Sequence, residues 1–212
     1  MTYLLILPHL PHLTKQMNLK LLITVLAVTA LSFALQFWQS QFNYIREAVS
    51  QGEVWRIATS QLVHTNWPHY LLNISSVWLF AFLFYTTINF KTFTINLFLL
   101  IIAVGICIHL FEPSMFKYAG LSGALYGLYL IGAYSAIKDN DYLVGIGTAT
   151  LIIGKVCFDH WFGPFQDNSA LIEARVATEA HVYGVCAALL LICSDALIQY
   201  IKAKASSQQI PD

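Results

Sequence analysis

Charge is what this chain has least of. Eleven basic and eleven acidic side chains are spread over 212 residues, 10% of the total, against roughly 25% in an ordinary soluble domain. With 58% hydrophobic residues and a mean hydropathy of +0.63, that scarcity excludes a soluble domain with a large core and indicates an integral membrane protein, with the lipid bilayer as its solvent. A formal net charge of zero leaves no basic patch to neutralise phosphates, so nucleic acid is excluded as a partner. Cysteine is scarce too. Cys107, Cys157, Cys186 and Cys193 all fall in apolar runs with no Cys-x-x-Cys pair, which supports neither a disulfide framework nor a zinc site; they read as small buried hydrophobes. Carboxylates beside the histidines and a His-Glu-x-x-His pattern are missing, so no metal or other cofactor is expected. No repeat or low-complexity stretch divides the chain. It reads as one domain, 1–212, with a core of about 19–201 between short polar tails.

Apolar length is what the chain has in abundance. Stretches of about 20 mostly apolar residues mark membrane helices, and six are expected here: 19–38, 69–88, 93–111, 121–137, 142–161 and 174–201. The fold class is therefore all-α, a six-transmembrane-helix bundle. The one long loop, 39–68, has Trp38, Trp55 and Trp67 in or beside it, as suits a segment lying among lipid headgroups. The first span follows Lys15 and Lys20 but is long and has no Ala-x-Ala site after it, so it is read as a span and not a cleaved signal. With the N-terminus cytoplasmic, Lys15, Lys20, Lys91, Lys138, Lys202 and Lys204 lie inside, against Arg46, Arg56, Lys117 and Arg175 outside. This six-to-four bias places both termini in the cytoplasm.

That orientation gathers the polar residues. His64, His69 and Asn73 lie at the outer start of span two, Ser122 at the outer start of span four, and His181 in the outer part of span six. At 1.5 Å per residue, Ser122 stands about 24 Å above Lys138 and His181 about 31 Å above Lys202, a difference that tilt absorbs. Hydroxyl and imidazole at membrane depth are costly and usually functional. A serine becomes a useful nucleophile when a neutral histidine takes its proton, and charge developing on an attacked carbonyl needs fixed donors. The Ser122 backbone N–H and the His69 and Asn73 side chains, one turn apart on one helix face, are candidate donors. Glu179, two residues from His181, points elsewhere on a helix, and no aspartate is placed to orient the base. The pattern is a Ser-His dyad.

The chain resembles the rhomboid family of intramembrane serine proteases over nearly its whole length. The matching residues are Gly52-x-x-Trp55-Arg56 in the loop, His64-x4-His69-x3-Asn73 opening span two, Gly120-Leu121-Ser122-Gly123 opening span four, and Ala180-His181-x-x-Gly184 in span six. The resemblance implies Ser122 as nucleophile, His181 as general base, and His69, Asn73 and the Ser122 N–H as oxyanion hole. Tyr126, one turn after the serine, matches the tyrosine that packs against the base in rhomboids. The compact frame and the stretch Ala177-Thr178-Glu179-Ala180-His181-Val182-Tyr183-Gly184 look like rhombosortases, the subgroup paired with exported proteins bearing a C-terminal Gly-Gly signal. That narrower resemblance implies a Gram-negative inner membrane, a site opening to the periplasm, and transmembrane substrates carrying the Gly-Gly signal. Two departures stand out. The inner end of span two, Ala81-Phe82-Leu83-Phe84-Tyr85, lacks the glutamate common in rhomboids, which leaves Glu47 and Glu53 as candidate partners of Arg56. Rhombosortases often have histidine where this chain has Tyr126.

Blander roles compete for some of these residues. Gly123 with Gly127, and Ala180 with Gly184 and Ala188, fit the small-x-x-x-small spacing of close helix packing. His64 is read as holding the loop, and His9 and His12 have no chemical role. Lys155 and Asp159, four apart in span five, are spaced as an ion pair and read as a structural clamp. Other function classes are a general rhomboid protease with different single-span substrates, a pseudoprotease that escorts membrane helices without cutting them, and a polar-solute transporter. The last would show repeats or broken helices. Oligomeric state leaves no mark in the sequence.

Overall fold

The computed structural model describes residues 17–164 and 167–207; His9, His12 and Lys15 lie outside them. In chain order the elements are α1 (Leu19–Gln36), α2 (Gln39–Phe42), β1 (Tyr44–Ile45), α3 (Arg46–Ser50), α4 (Arg56–Thr59), α5 (Trp67–Phe84), α6 (Phe90–Phe111), β2 (Lys117–Tyr118), α7 (Ser122–Lys138), α8 (Tyr142–Phe162), α9 (Ser169–Ile172) and α10 (Thr178–Ser207). Each expected span contains one long helix, and asparagine or aspartate caps set several boundaries. Asn18 accepts from Lys20 N, Asn89 from Lys91 N and Thr92 N, and Asp141 from Val144 N. The second and the last helix differ most from expectation, and α6 starts three residues early, at Phe90. The second helix starts at Trp67 because Asn66 accepts from His69 N and Pro68 sits in the first turn, and it stops at Phe84, before a turn that leads to the Asn89 cap. The last helix starts at Thr178, not at 174, and runs to Ser207.

Four helices (α1, α6, α8 and α10) are long and apolar enough to cross a membrane. The other two of the long set differ for identifiable reasons. α7 has 17 residues, about 26 Å of helix, and α5 has His69, Asn73, Ser75 and Ser76 in the half nearer Ser122, called here the site end.

α7 is the hub. It packs on α5, α6, α8 and α10, and ten of its residues are buried, among them Gly123, Ala124, Gly127, Gly132, Ala133 and Ala136. Small side chains let neighbours approach closely, which in an apolar solvent is a main source of helix association. A β-carbon at Gly127 would run into the Gly184 carbonyl oxygen, and one at Gly123 would lie 2.8 Å from the Ala180 oxygen; α7 and α10 therefore touch backbone to backbone. The opposite polarity holds outside. Leu143, Leu151, Leu190 and Phe82 are more than two-thirds exposed on the bundle's flanks, where only lipid makes such surface stable. The cysteines belong there too. None is buried, Cys157, Cys186 and Cys193 are exposed and Cys107 is intermediate, which corrects the expectation of buried thiols.

The long loop is built, not irregular. Its strand β1 pairs antiparallel with β2, Tyr44 opposite Tyr118 and Ile45 opposite Lys117, fastening it to the segment just ahead of Ser122. Arg46 donates to the carbonyls of Ile108 (3.1 Å), His109 (3.0 Å), Glu112 (2.6 Å) and Met115 (3.3 Å), closing the C-terminal end of α6. Arg56 is buried beneath the loop and donates to Asn43 O (2.8 Å), Ser40 O (3.1 Å) and Glu53 Oε2 (2.5 Å). Of its two candidate carboxylates, Glu53 is the partner. Trp38, Trp55 and Trp67 are each about half exposed around the site end, the placement an interfacial loop requires.

Candidate active site

Ser122 is the first residue of α7, and the two residues before it are shaped around it. Gly120 has φ +128°, a conformation costly for any residue with a side chain. A β-carbon there would also strike the His69 imidazole, 2.7 Å from Cε1 and 2.8 Å from Nε2. Gly120 is fixed by its N–H to Ser60 O (2.9 Å) and by the Tyr118 hydroxyl donating to its carbonyl (2.8 Å). Tyr118 is buried in the loop, and burial pushes its pKa up, so it stays a neutral donor.

His181 comes from the second turn of α10. Its Nε2 lies 3.1 Å from Ser122 Oγ. The Tyr126 ring stacks on the imidazole at 4.1 Å between centroids and 16° between planes, which fixes its tilt. Glu179 is turned away to Arg175 (2.8 Å). Contact between α7 and α10 through Gly123, Gly127, Ala180 and Gly184 thus places the serine and histidine at one level.

His69 and Asn73 form the third side. The Nδ1 of His69 is 3.0 Å from Thr65 Oγ1, whose hydroxyl donates to Ile172 O (2.5 Å), and its Nε2 side faces Gly120. Asn73 is buried, with Nδ2 donating to His69 O (3.1 Å); the amide's second N–H remains for another acceptor. The segment around α9 closes over this corner, since Asn66 Nδ2 also donates to Leu171 O (2.9 Å).

His64 supports from behind. Its ring is fully buried, edge-on to His69 (5.1 Å between centroids) and Tyr70 (5.6 Å). Its backbone is clamped by Gln36, which accepts from His64 N (2.8 Å) and donates to His64 O (2.7 Å). Burial pushes the imidazole pKa down to about 3, with the neighbouring His69 a smaller cause. Trp55 and Arg56 shape the loop and do not line the cavity around the dyad.

Ser122, His181, Tyr126, His69 and Asn73 line one open cavity of about 700 Å³. It continues into a smaller cleft lined by Asn73, Ser76 and Leu79 of α5, Tyr126 and Tyr129 of α7, and Ile152 of α8. The cleft follows from the packing, because α8 rests chiefly on α7 and α10. Among the described residues no three His, Cys, Asp or Glu side chains gather as metal ligands. Sequence reasoning missed Tyr118 and Thr65, whose single polar groups carry no spacing signal. It also missed that Lys155 of α8 lines the same cavity.

Residues 51–196 match the family model described as the Rhomboid domain, and the chain belongs to the rhomboid family. It is also 26% identical over 154 residues to a protein of Bacillus subtilis (strain 168) named "Putative rhomboid protease YdcA", with 73% of each chain covered. Family and relative together support intramembrane serine-protease activity in an integral membrane protein.

Proposed function

We propose that this protein is an intramembrane serine endopeptidase in which Ser122 is the nucleophile and His181 the general base. The observation that carries the reading is the 3.1 Å approach of Ser122 Oγ to His181 Nε2 in a cavity inside an apolar bundle. A substrate helix enters through the cleft between α5 and α8 and unwinds at its outer end, where helix breakers such as glycine favour extended backbone. Ser122 Oγ attacks the scissile carbonyl carbon as its proton passes to His181 Nε2. The oxyanion is met by the Ser122 N–H and the free Asn73 N–H, and by His69 Nε2 when the ring carries protons on both nitrogens. His181 then protonates the leaving amine, and water, activated by the same histidine, hydrolyses the acyl-enzyme. All six long helices are taken as spans, α5 and α7 shortened by their places in the bundle, with both termini cytoplasmic and the cavity opening to the opposite side.

The substrates proposed are exported proteins with a C-terminal Gly-Gly signal followed by a single membrane helix, cut beside the glycines at a Gram-negative inner membrane. The stretch Ala177–Gly184 and the compact frame support this narrower, rhombosortase reading. The test is the intact mass of such a reporter after co-expression with wild type or Ser122→Ala. A serine-dependent cut beside the glycines is expected. Cleavage only of other single-span reporters would retire the Gly-Gly specificity, and intact reporters throughout would favour a non-cleaving escort.

A further inference from the structure

Lys155 is the charged residue that the dyad chemistry leaves unused. It sits inside α8, a helix long and apolar enough to span, where a lysine turned to lipid would be costly. Its side chain instead reaches one turn towards the site end. There Nζ meets Asp159 Oδ2 at 2.6 Å, and the two side chains differ sharply in cover: 38% exposure for Lys155 and 1% for Asp159. Asp159 anchors the ammonium from the packed side. Lys155 lines the cavity that holds Ser122 and His181, and an ammonium has three N–H bonds to give.

Position agrees with such a role. Lys155 stands one turn beyond Ile152, the α8 residue that lines the cleft, so a helix passing from the cleft to Ser122 passes its ammonium. The other charged residues lining the cavity are Lys117, Glu173 and Arg175, of which Arg175 is already paired with Glu179. In the Lys155–Asp159 pair the cation is the partner left accessible.

Resting on the proteolytic reading above, we infer that Lys155 is a specificity residue that pairs with an aspartate or glutamate side chain carried by the substrate within a few residues of the scissile bond. A carboxylate arriving in this cavity gains a charge-assisted hydrogen bond that an amide of the same shape does not match.

The test is a scan of a single-span reporter carrying Asp or Asn, and Glu or Gln, at each of the four positions on either side of the cut. kcat/KM is measured with the full-length enzyme in proteoliposomes. Wild type should favour the acid over its amide by about tenfold or more at one position. The ratio should fall to about one in Lys155→Gln and persist in Lys155→Arg. Lys155→Gln/Asp159→Asn, which removes both charges together, serves if the single variant fails to fold, as judged by fluorophosphonate labelling of Ser122. Ratios near one at every position in wild type, or an acid preference that survives Lys155→Gln, overturn this inference while leaving proteolysis standing. A reporter set that wild type leaves uncut overturns both.

Discussion

Gly184→Ala isolates the link between helix packing and catalysis. A β-carbon at Gly184 would overlap the Gly123 carbonyl oxygen and lie 2.9 Å from Gly123 C and 3.3 Å from Gly127 N. The overlap with the carbonyl oxygen is the limiting one, since C···O contacts rest at about 3.3 Å, and the obstructing atoms are backbone, so relief requires α7 and α10 to part by more than about 1 Å. Ser122 and His181 ride on those same two helices, and their 3.1 Å approach would lengthen to about 4 Å, beyond hydrogen-bond reach. A misplacement of this size costs about a hundredfold in rate, while the overpacking itself costs about 1–3 kcal/mol. Gly147 and Gly154 on α8 have nothing within 4 Å of an added β-carbon. Alanine there should be neutral, or stabilising by about 0.5–1 kcal/mol. The assay is cleavage of a single-span reporter in proteoliposomes, with thermal unfolding in parallel. Gly184→Ala should fold and lose about two orders of magnitude in kcat/KM, with the Gly147 and Gly154 variants near wild type. A Gly184→Ala enzyme within about threefold of wild type would refute the coupling, since roughly a hundredfold loss follows from the displacement.

Three further outcomes follow from the same geometry. Arg56→Ala strips the donor from two loop carbonyls and should lower stability by about 2–4 kcal/mol, whereas Glu53→Gln, at a part-exposed carboxylate, should cost under about 1 kcal/mol; thermal unfolding compares them. His64 has a folded pKa of about 3 against an ordinary 6.5, so between those values the unfolded chain binds the extra proton. Stability is fully present above about pH 6.5 and falls on acidification by up to about 1.4 kcal/mol per pH unit, a slope that His64→Gln should reduce in unfolding curves taken from pH 7 to 4. Tyr126→Phe keeps the ring stacked on His181 and should retain activity within about threefold, while Tyr126→Ala frees the imidazole and should lose about tenfold or more in kcat/KM.

Helix positions and the approach of Ser122 to His181 were legible because both are written in patterns a membrane enforces. Apolar length dictates spans, and a serine and a histidine at matched depth stand out against a solvent that penalises them. Asn66 and Pro68 had already marked the true start of α5, and reading hydrophobicity alone placed it two residues late. The cysteines were misread for a physical reason: with lipid outside, an apolar run is equally apolar on its buried and exposed faces, so Cys157 and Cys186 gave no sign of lying on the flank. The β1–β2 ladder was invisible, being two residues long on each side, and the Arg46 fan onto α6 depends on tertiary approach. The Lys155–Asp159 pair was visible as a spacing, but its aim into the cavity depends on which face α8 turns to α7.

The most direct test of the central claim is fluorophosphonate labelling of the purified protein followed by peptide mapping. The adduct should sit on Ser122, vanish in Ser122→Ala, and form at least about a hundredfold more slowly in His181→Ala, since removing the general base removes a factor of roughly 10²–10⁴. Labelling that persists in Ser122→Ala, or that proceeds at the wild-type rate without His181, would contradict a serine activated by that histidine.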